Sequence, residues 1–214
     1  MKKITASLAA AFCIAAALSL GLFAGEKQAV AADQPTAAAI GQAAPAFALP
    51  NVVTGDEVTL ADHKGKVTVV LFHSINCPFY KMHENKGYDR VFVPMVEAYK
   101  DKDVVFVGIN ANKTESTDKI KAYIEKHNIN YTVLKDEGNA IADAYGAKVT
   151  PHVFVIDQDG KLRYMGGVEK HSGGPAGCGE SDTQYLAPVI DALLEGSEPP
   201  YTETKATGCG IKRI

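Results

Sequence analysis

The sequence predicts an α/β fold: a central mixed β-sheet flanked by helices, with an N-terminal β-hairpin extension and a C-terminal tail. Three observations carry this. Runs of β-branched and aromatic residues recur at residues 67–72, 104–109 and 153–156, apolar throughout, as strands buried on both faces are. Between them lie stretches whose apolar residues fall at helical spacing. After the last run, Asp159-Gly160 turns the chain into residues 162–165, so the sheet closes on a hairpin and mixes strand directions.

The composition suits one folded domain with extras. The chain has 214 residues, 46% of them hydrophobic and 22% charged, which is enough to build a core. Net charge is −3, and the 22 basic residues are dispersed among 25 acidic ones. No basic block is available for a phosphate backbone, so nucleic acid is not an expected partner. No internal repeat of about 20–50 residues is visible, which excludes solenoids and propellers.

Lys2 and Lys3 precede an apolar, Ala-rich run, and Ala29-Val30-Ala31 offers small residues for cleavage. Residues 1–31 therefore read as a secretory signal peptide, with an uncleaved membrane anchor as the alternative. Cleavage gives a periplasmic or secreted protein with no membrane insertion. It leaves Cys77, Cys178 and Cys209 of the four cysteines. An odd number in an oxidising compartment implies a thiol outside any single bridge, or a pair that changes partners. Residues 32–39 read as a linker, 40–196 as the domain, and 197–214 as a tail carrying Cys209.

Residues 44–49 read as an edge strand, because Pro45 excludes a central one, and residues 58–60 return to complete a hairpin. After the strand at 67–72, Pro78 suits a first helical turn. Residues 79–99 read as helical, interrupted at Gly87 and Pro94. Beyond the strand at 104–109, Ser116 or Thr117 caps a helix with Ile120, Tyr123, Ile124 and His127 on one face. A short strand at 131–134 and a short helix at 139–145 follow. A Gly-rich loop spans 166–179. The last helix carries Leu186, Val189, Ile190, Leu193 and Leu194, with Pro188 in its first turn. Gly196 ends it and Pro199-Pro200 bars its resumption.

The chemistry-bearing residues begin with Cys77, just after a buried strand and at the expected start of a helix. Free N–H groups and the partial positive charge of a helix N-terminus favour a thiolate, and so a nucleophile. Lys81 lies four residues on, on the same helix face. An inert, buried cysteine is the bland alternative. The second signal is Thr150-Pro151-His152 ahead of the strand at 153–156. A proline there lies outside the hydrogen-bond ladder, and a cis Thr150–Pro151 bond would fold the chain sharply. His73, His83 and His152 are the nearest titratable groups, although surface or core histidines are the commoner case.

Together these pieces resemble the thioredoxin-like superfamily, in its extracytoplasmic redoxin branch, near the alkyl hydroperoxide reductase and peroxiredoxin family. The matching segments are residues 41–47 (GQAAPAF), 65–72 (GKVTVVLF), Cys77-Pro78, and 146–157 (GAKVTPHVFVID). The tail also resembles the Gly-Cys-x-Ile-Lys ending of one redoxin subgroup. The resemblance implies a thioredoxin-like fold, Cys77 as a redox centre supported by Pro78, Lys81, Thr150, Pro151 and His152, and no cofactor or metal. Tyr80 occupies the second cysteine's place in Cys-x-x-Cys, so exchange within one turn is impossible. Val70 and Ser74 stand where a peroxiredoxin carries Pro and Thr, and no Arg stands at 149–151.

For a partner thiol, the redoxin-subgroup resemblance points to Cys209, whereas the mobility of a Gly-rich loop points to Cys178. A structural Cys178–Cys209 bridge with Cys77 free is the alternative. Three functions compete. The first is extracytoplasmic thiol–disulfide exchange through Cys77, resolved by Cys209 or Cys178, with protein thiols and disulfides or small thiols as partners. The second is a thiol peroxidase acting on a hydroperoxide. The third is a soft-metal carrier in which Cys77 with His152, His171, Cys178 or Cys209 supplies thiolate and imidazole ligands, for which no Cys-x-x-Cys or His-x-His cluster speaks.

Overall fold

The structure is a computed structural model describing residues 38–80, 87–171, 181 and 183–214. The expected signal peptide, most of the linker, Lys81, His83 and Cys178 lie outside the described residues. Strands β1 (Ala48–Pro50) and β2 (Glu57–Thr59) form the N-terminal hairpin. A 3-10 turn at Leu60–His63 follows, not anticipated from the sequence. Its signal is Thr59 and Asp62: the Thr59 N–H donates to Asp62 at 2.7 Å and the Asp62 N–H to Thr59 Oγ1 at 3.3 Å, a reciprocal cap.

The core elements are β3 (Val67–His73), α1 (Asp89–Tyr99), β4 (Val104–Asn110), α2 (Thr117–His127), β5 (Thr132–Lys135), α3 (Ala140–Ala144), β6 (Val149–Thr150), β7 (His152–Ile156), β8 (Leu162–Gly166) and α4 (Leu186–Leu194). The five-stranded sheet has the order β5-β4-β3-β7-β8. Strands β3, β4 and β5 run parallel, and β7 is antiparallel to both its neighbours. The sheet is mixed, as the sequence predicts, and the fold is thioredoxin-like.

Every residue of β3 is buried, because both faces of the sheet are covered. Side chains alternate between the two sides. Val67, Val69 and Leu71 pack with Val153, Val155, Phe92 of α1 and Leu186, Val189 and Ile190 of α4. Val70 and Phe72 pack on the other side with Phe154, Ile156, Leu134 and Tyr145. Burying a large apolar side chain contributes about 1.5–3 kcal/mol, so β3 anchors both layers at once.

Helix α1 is shorter than expected. It begins at Asp89, Pro78–Tyr80 form a turn, and residues 81–86 are outside the description. Gly87, at φ 92, sits in a left-handed conformation just before the helix, which only glycine adopts freely. Pro94 lies inside α1 on an exposed position. Helix α2 starts after Ser116 and stops at Asn128, which takes the left-handed conformation at φ 51.

The tail holds the largest departure. It is a strap with its own strand, β9 (Cys209–Gly210), antiparallel to β6. It first runs beside β8, where the Met165 N–H donates to Thr202 O at 2.9 Å and the Thr204 N–H to Met165 O at 3.1 Å. Thr204 presses on Gly166, where a Cβ would fall 2.2 Å from Thr204 Oγ1. Beyond β9, Ile211 is buried in the second layer. The Lys113 N–H donates to Lys212 O at 2.9 Å, the Ile214 N–H donates to Asn139 Oδ1 at 2.9 Å, and Arg213 pairs with Asp143 at 2.9 Å.

Candidate active site

Cys77 follows β3 by four residues, at the sheet end where β7 begins. Two turns hold it: its N–H donates to Ser74 O at 3.1 Å, and its carbonyl accepts the Tyr80 N–H at 3.0 Å. Its thiol donates to the Thr150 carbonyl at 2.9 Å. The Thr150–Pro151 peptide is cis, in the position the sequence suggested. Helix α1 starts twelve residues beyond Cys77, so among the described residues the sulfur sits at a turn, not at a helix N-terminus. Among the described residues its thiol meets the Thr150 carbonyl, and a second thiol borders the same cleft.

That second thiol is Cys209. The β6–β9 register sets Thr150 opposite Cys209, and Thr150 Oγ1 donates to Cys209 O at 3.4 Å. Cys77 and Cys209 are both free thiols, the first buried and the second partly exposed. Both border the same cleft, close enough for each thiol to bear on the other's proton. Burial pushes the Cys209 pKa up to about 11, helped by the hydrogen bond to Cys77 and the repulsion of a Cys77 anion, with Lys212 opposing. Cys209 thus holds its proton at neutral pH.

Cys77 is only 2% exposed. It borders a cleft of about 160 Å³ with Cys209, Asn112, Glu115 and Lys212 on its walls. Glu115 is a functional candidate the sequence reading missed. It is 1% exposed and its carboxylate accepts four hydrogen bonds: Ser74 Oγ at 2.5 Å, the Ile75 N–H at 3.1 Å, the Asn76 N–H at 3.1 Å and Asn110 Nδ2 at 2.6 Å. It fixes the loop that delivers Cys77. No spacing from Cys77 could reveal it, because it arrives from the end of β4, which pairs with β3 in parallel.

The remaining predicted residues divide. Pro78 is exposed beside Cys77, Thr150 supplies the carbonyl, and Pro151 is buried behind it. His152 points the other way. Its ring lies 4.5 Å from that of Phe154, which packs in the second layer, whereas Cys77 packs in the first. Strand alternation puts residues 152 and 154 on the same face, so His152 does not serve the thiol directly. Burial lowers its pKa to about 4. His73 lies on the Cys77 side, stacked 4.7 Å from Tyr80, with its pKa lowered to about 3 by burial and by Lys135. Both imidazoles are neutral near neutrality. Tyr80, in the second cysteine's place, is buried with its hydroxyl 2.5 Å from that of Tyr131. The His171 ring meets that of Phe79 edge to face, with centroids 5.5 Å apart. Among the described residues, no three His, Cys, Asp or Glu side chains converge as metal ligands.

The chain resembles several known proteins. Thiol-disulfide oxidoreductase ResA of Bacillus thuringiensis is 28% identical over 123 residues, covering 58% of this chain and 66% of that protein. The chain thus spans just under two thirds of that relative. Chloroplastic Peroxiredoxin Q of Suaeda salsa is 30% identical over 135 residues, 58% of each chain. The crystal structure of an uncharacterized conserved protein from Geobacillus kaustophilus superposes with a TM-score of 0.72 and 33% identity, over 82% of this chain and 93% of that one. The AhpC/TSA family model matches residues 40–165, more than half of the chain. With a buried cysteine at the end of the central strand, this chain belongs to the AhpC/TSA family.

Proposed function

We propose that the protein is an extracytoplasmic thiol–disulfide oxidoreductase of the redoxin type, with Cys77 as nucleophile and Cys209 as resolving thiol. The observation that carries this is the meeting of the two sulfurs beside the Thr150 carbonyl. The 28% identity to ResA supports the same class of reaction. Domain 40–196 supplies Cys77 and the tail supplies its partner. The lysines and apolar run of residues 1–31 support export, and among the described residues no helix is long and apolar enough to cross a membrane.

The chemistry is a two-electron exchange. The Cys77 sulfur, having given its proton to solvent, attacks one sulfur of a partner disulfide. A Cys77–partner bond forms, and the other partner sulfur leaves with the electron pair and is protonated. The Cys209 sulfur then attacks Cys77, releasing the second partner thiol and leaving a Cys77–Cys209 disulfide. The partner is reduced and the protein oxidised. Reversal oxidises a partner dithiol. The partners are protein thiols and disulfides or small thiols.

Reduction of a hydroperoxide at Cys77 is the second reading, favoured by the likeness to Peroxiredoxin Q. Among the described residues bordering the cleft there is no arginine, and a peroxidase reading would need a guanidinium to hold the peroxide. Side-by-side treatment of the reduced protein with oxidised glutathione and with hydrogen peroxide, mapped by mass spectrometry, separates the two. A mixed disulfide on Cys77 that converts to Cys77–Cys209 supports exchange. Rapid sulfenic acid at Cys77 with sluggish glutathionylation overturns it in favour of the peroxidase.

A further inference from the structure

The tail meets β6 more closely than a covering strap requires. Val149 pairs with Gly210 and Thr150 with Cys209, and the Ile211 N–H donates to Lys148 O at 3.1 Å. One residue before the sulfur, Gly208 lies flat against the Thr150–Pro151 peptide. A Cβ there would fall 2.0 Å from the Thr150 oxygen, 2.6 Å from its carbonyl carbon and 3.1 Å from the Pro151 nitrogen. The obstacle is backbone, and real Cβ atoms do not come within 3.0 Å of such a neighbour. The same carbonyl accepts the Cys77 thiol at 2.9 Å, so it cannot withdraw without giving up that bond. On the other side of the sulfur, a Cβ at Gly210 meets nothing within 4 Å. The edge is therefore selective on one side of the cysteine and permissive on the other.

We infer that the β6 edge is a docking strand for extended cysteine peptides in which glycine immediately precedes the cysteine, with the chain's own Gly208-Cys209 as its resident ligand. The inference rests on the redox reading of Cys77 and specifies which partner cysteines reach it. A partner segment enters by strand addition, takes over the backbone hydrogen bonds at Lys148 and Thr150, and displaces the tail. A side chain before the incoming cysteine holds the peptide off the Thr150 carbonyl and moves its sulfur away from Cys77. The site thus discriminates by exclusion as well as by contact.

The test uses two synthetic peptides copying residues 204–213, one with the natural Gly-Cys and one with alanine for that glycine. Each carries its cysteine as a mixed disulfide with thionitrobenzoate. Attack by Cys77 forms the Cys77–peptide bond and breaks the peptide–thionitrobenzoate bond. Thionitrobenzoate leaves with the electron pair, and the Cys77 proton passes to solvent. In the full chain carrying Cys209→Ser, the Gly-Cys peptide couples at least about tenfold faster than the Ala-Cys peptide. Equal rates, or a faster Ala-Cys peptide, overturn the inference.

A second arm needs no peptide. With oxidised glutathione as oxidant, Gly208→Ala in the full chain slows formation of the Cys77–Cys209 bridge at least about tenfold, while Gly210→Ala stays within about twofold. Equal effects of the two substitutions contradict the inference. The aromatic disulfide of thionitrobenzoate, with no peptide attached, is the control on the Cys209→Ser chain. If it leaves Cys77 unlabelled, the redox reading of Cys77 fails. If it labels Cys77 while the two peptides are indistinguishable, the docking strand alone fails.

Discussion

Cys209 retains its proton because it is partly buried and because a second sulfur lies beside it. Burial is the largest cause of its raised pKa, and the hydrogen bond and charge of Cys77 come next. Cys77→Ser takes away the neighbouring thiol but leaves the burial, so the Cys209 pKa falls only part of the way from about 11 toward its ordinary 9.0. The pH profile of Cys209 alkylation reads this directly: its rise shifts to lower pH in the variant. Glu115 acts on the other sulfur, through the loop from Ser74 to Asn76. Glu115→Gln turns an amide N–H toward groups that are all donors, leaving at least one unsatisfied. We expect a loss of about 1–3 kcal/mol, read by urea denaturation, together with slower disulfide formation at Cys77. The histidines give an acid limb. His73 is buried and neutral, its pKa lowered to about 3 from 6.5. A folded-state pKa below the unfolded one contributes stability that is present above 6.5 and lost as pH falls toward 3. His73→Leu therefore flattens the fall in stability between pH 7 and about pH 4.5, by about 2–3 kcal/mol.

At the scale of elements, the tail decides access. Strand β9 covers Cys77, which is 2% exposed, so a bulky disulfide reaches it only when the strap lifts from β6. Anchorage beyond the sulfur comes from Ile211, buried against the second layer. Ile211→Ala costs about 2–4 kcal/mol of tail docking. The expected outcome is faster alkylation of Cys77 by a bulky maleimide, with global unfolding changed much less than tail release. An unchanged alkylation rate would show that the strap does not gate the sulfur. The helices contribute differently. Helix α1 begins at Asp89, and the Tyr88 and Asp89 N–H groups donate to Phe79 O at 3.0 Å and to Tyr80 O at 3.1 Å, which ties its first turn to the turn that follows Cys77.

For the molecule as a whole, a Cys77–Cys209 bridge ties the tail to the strand at the centre of the sheet. It closes a loop of roughly 130 residues, for which chain entropy stabilises the oxidised fold by about 4–5 kcal/mol. The oxidised protein therefore melts higher than the reduced one, and Cys209→Ser removes the difference. Much of this architecture is legible in the sequence. The unbroken apolar runs become β3, β4 and β7, because strands covered on both faces have no polar side to display. The hairpin at Asp159-Gly160 and the end of α4 at Gly196 follow from backbone freedom alone. The site is legible in its local pieces, Cys77 and Thr150-Pro151, and, through the resemblance of the tail, in Cys209. Glu115, the register of β9 on β6 and the orientation of His152 come from contacts between distant segments, which no local period encodes. The proposed chemistry needs two sulfurs to pair. The full chain is oxidised with oxidised glutathione, digested without reduction and mapped by mass spectrometry. One dominant linked pair is expected, Cys77 with Cys209; a dominant Cys178–Cys209 bridge with Cys77 left as a thiol contradicts the proposed exchange.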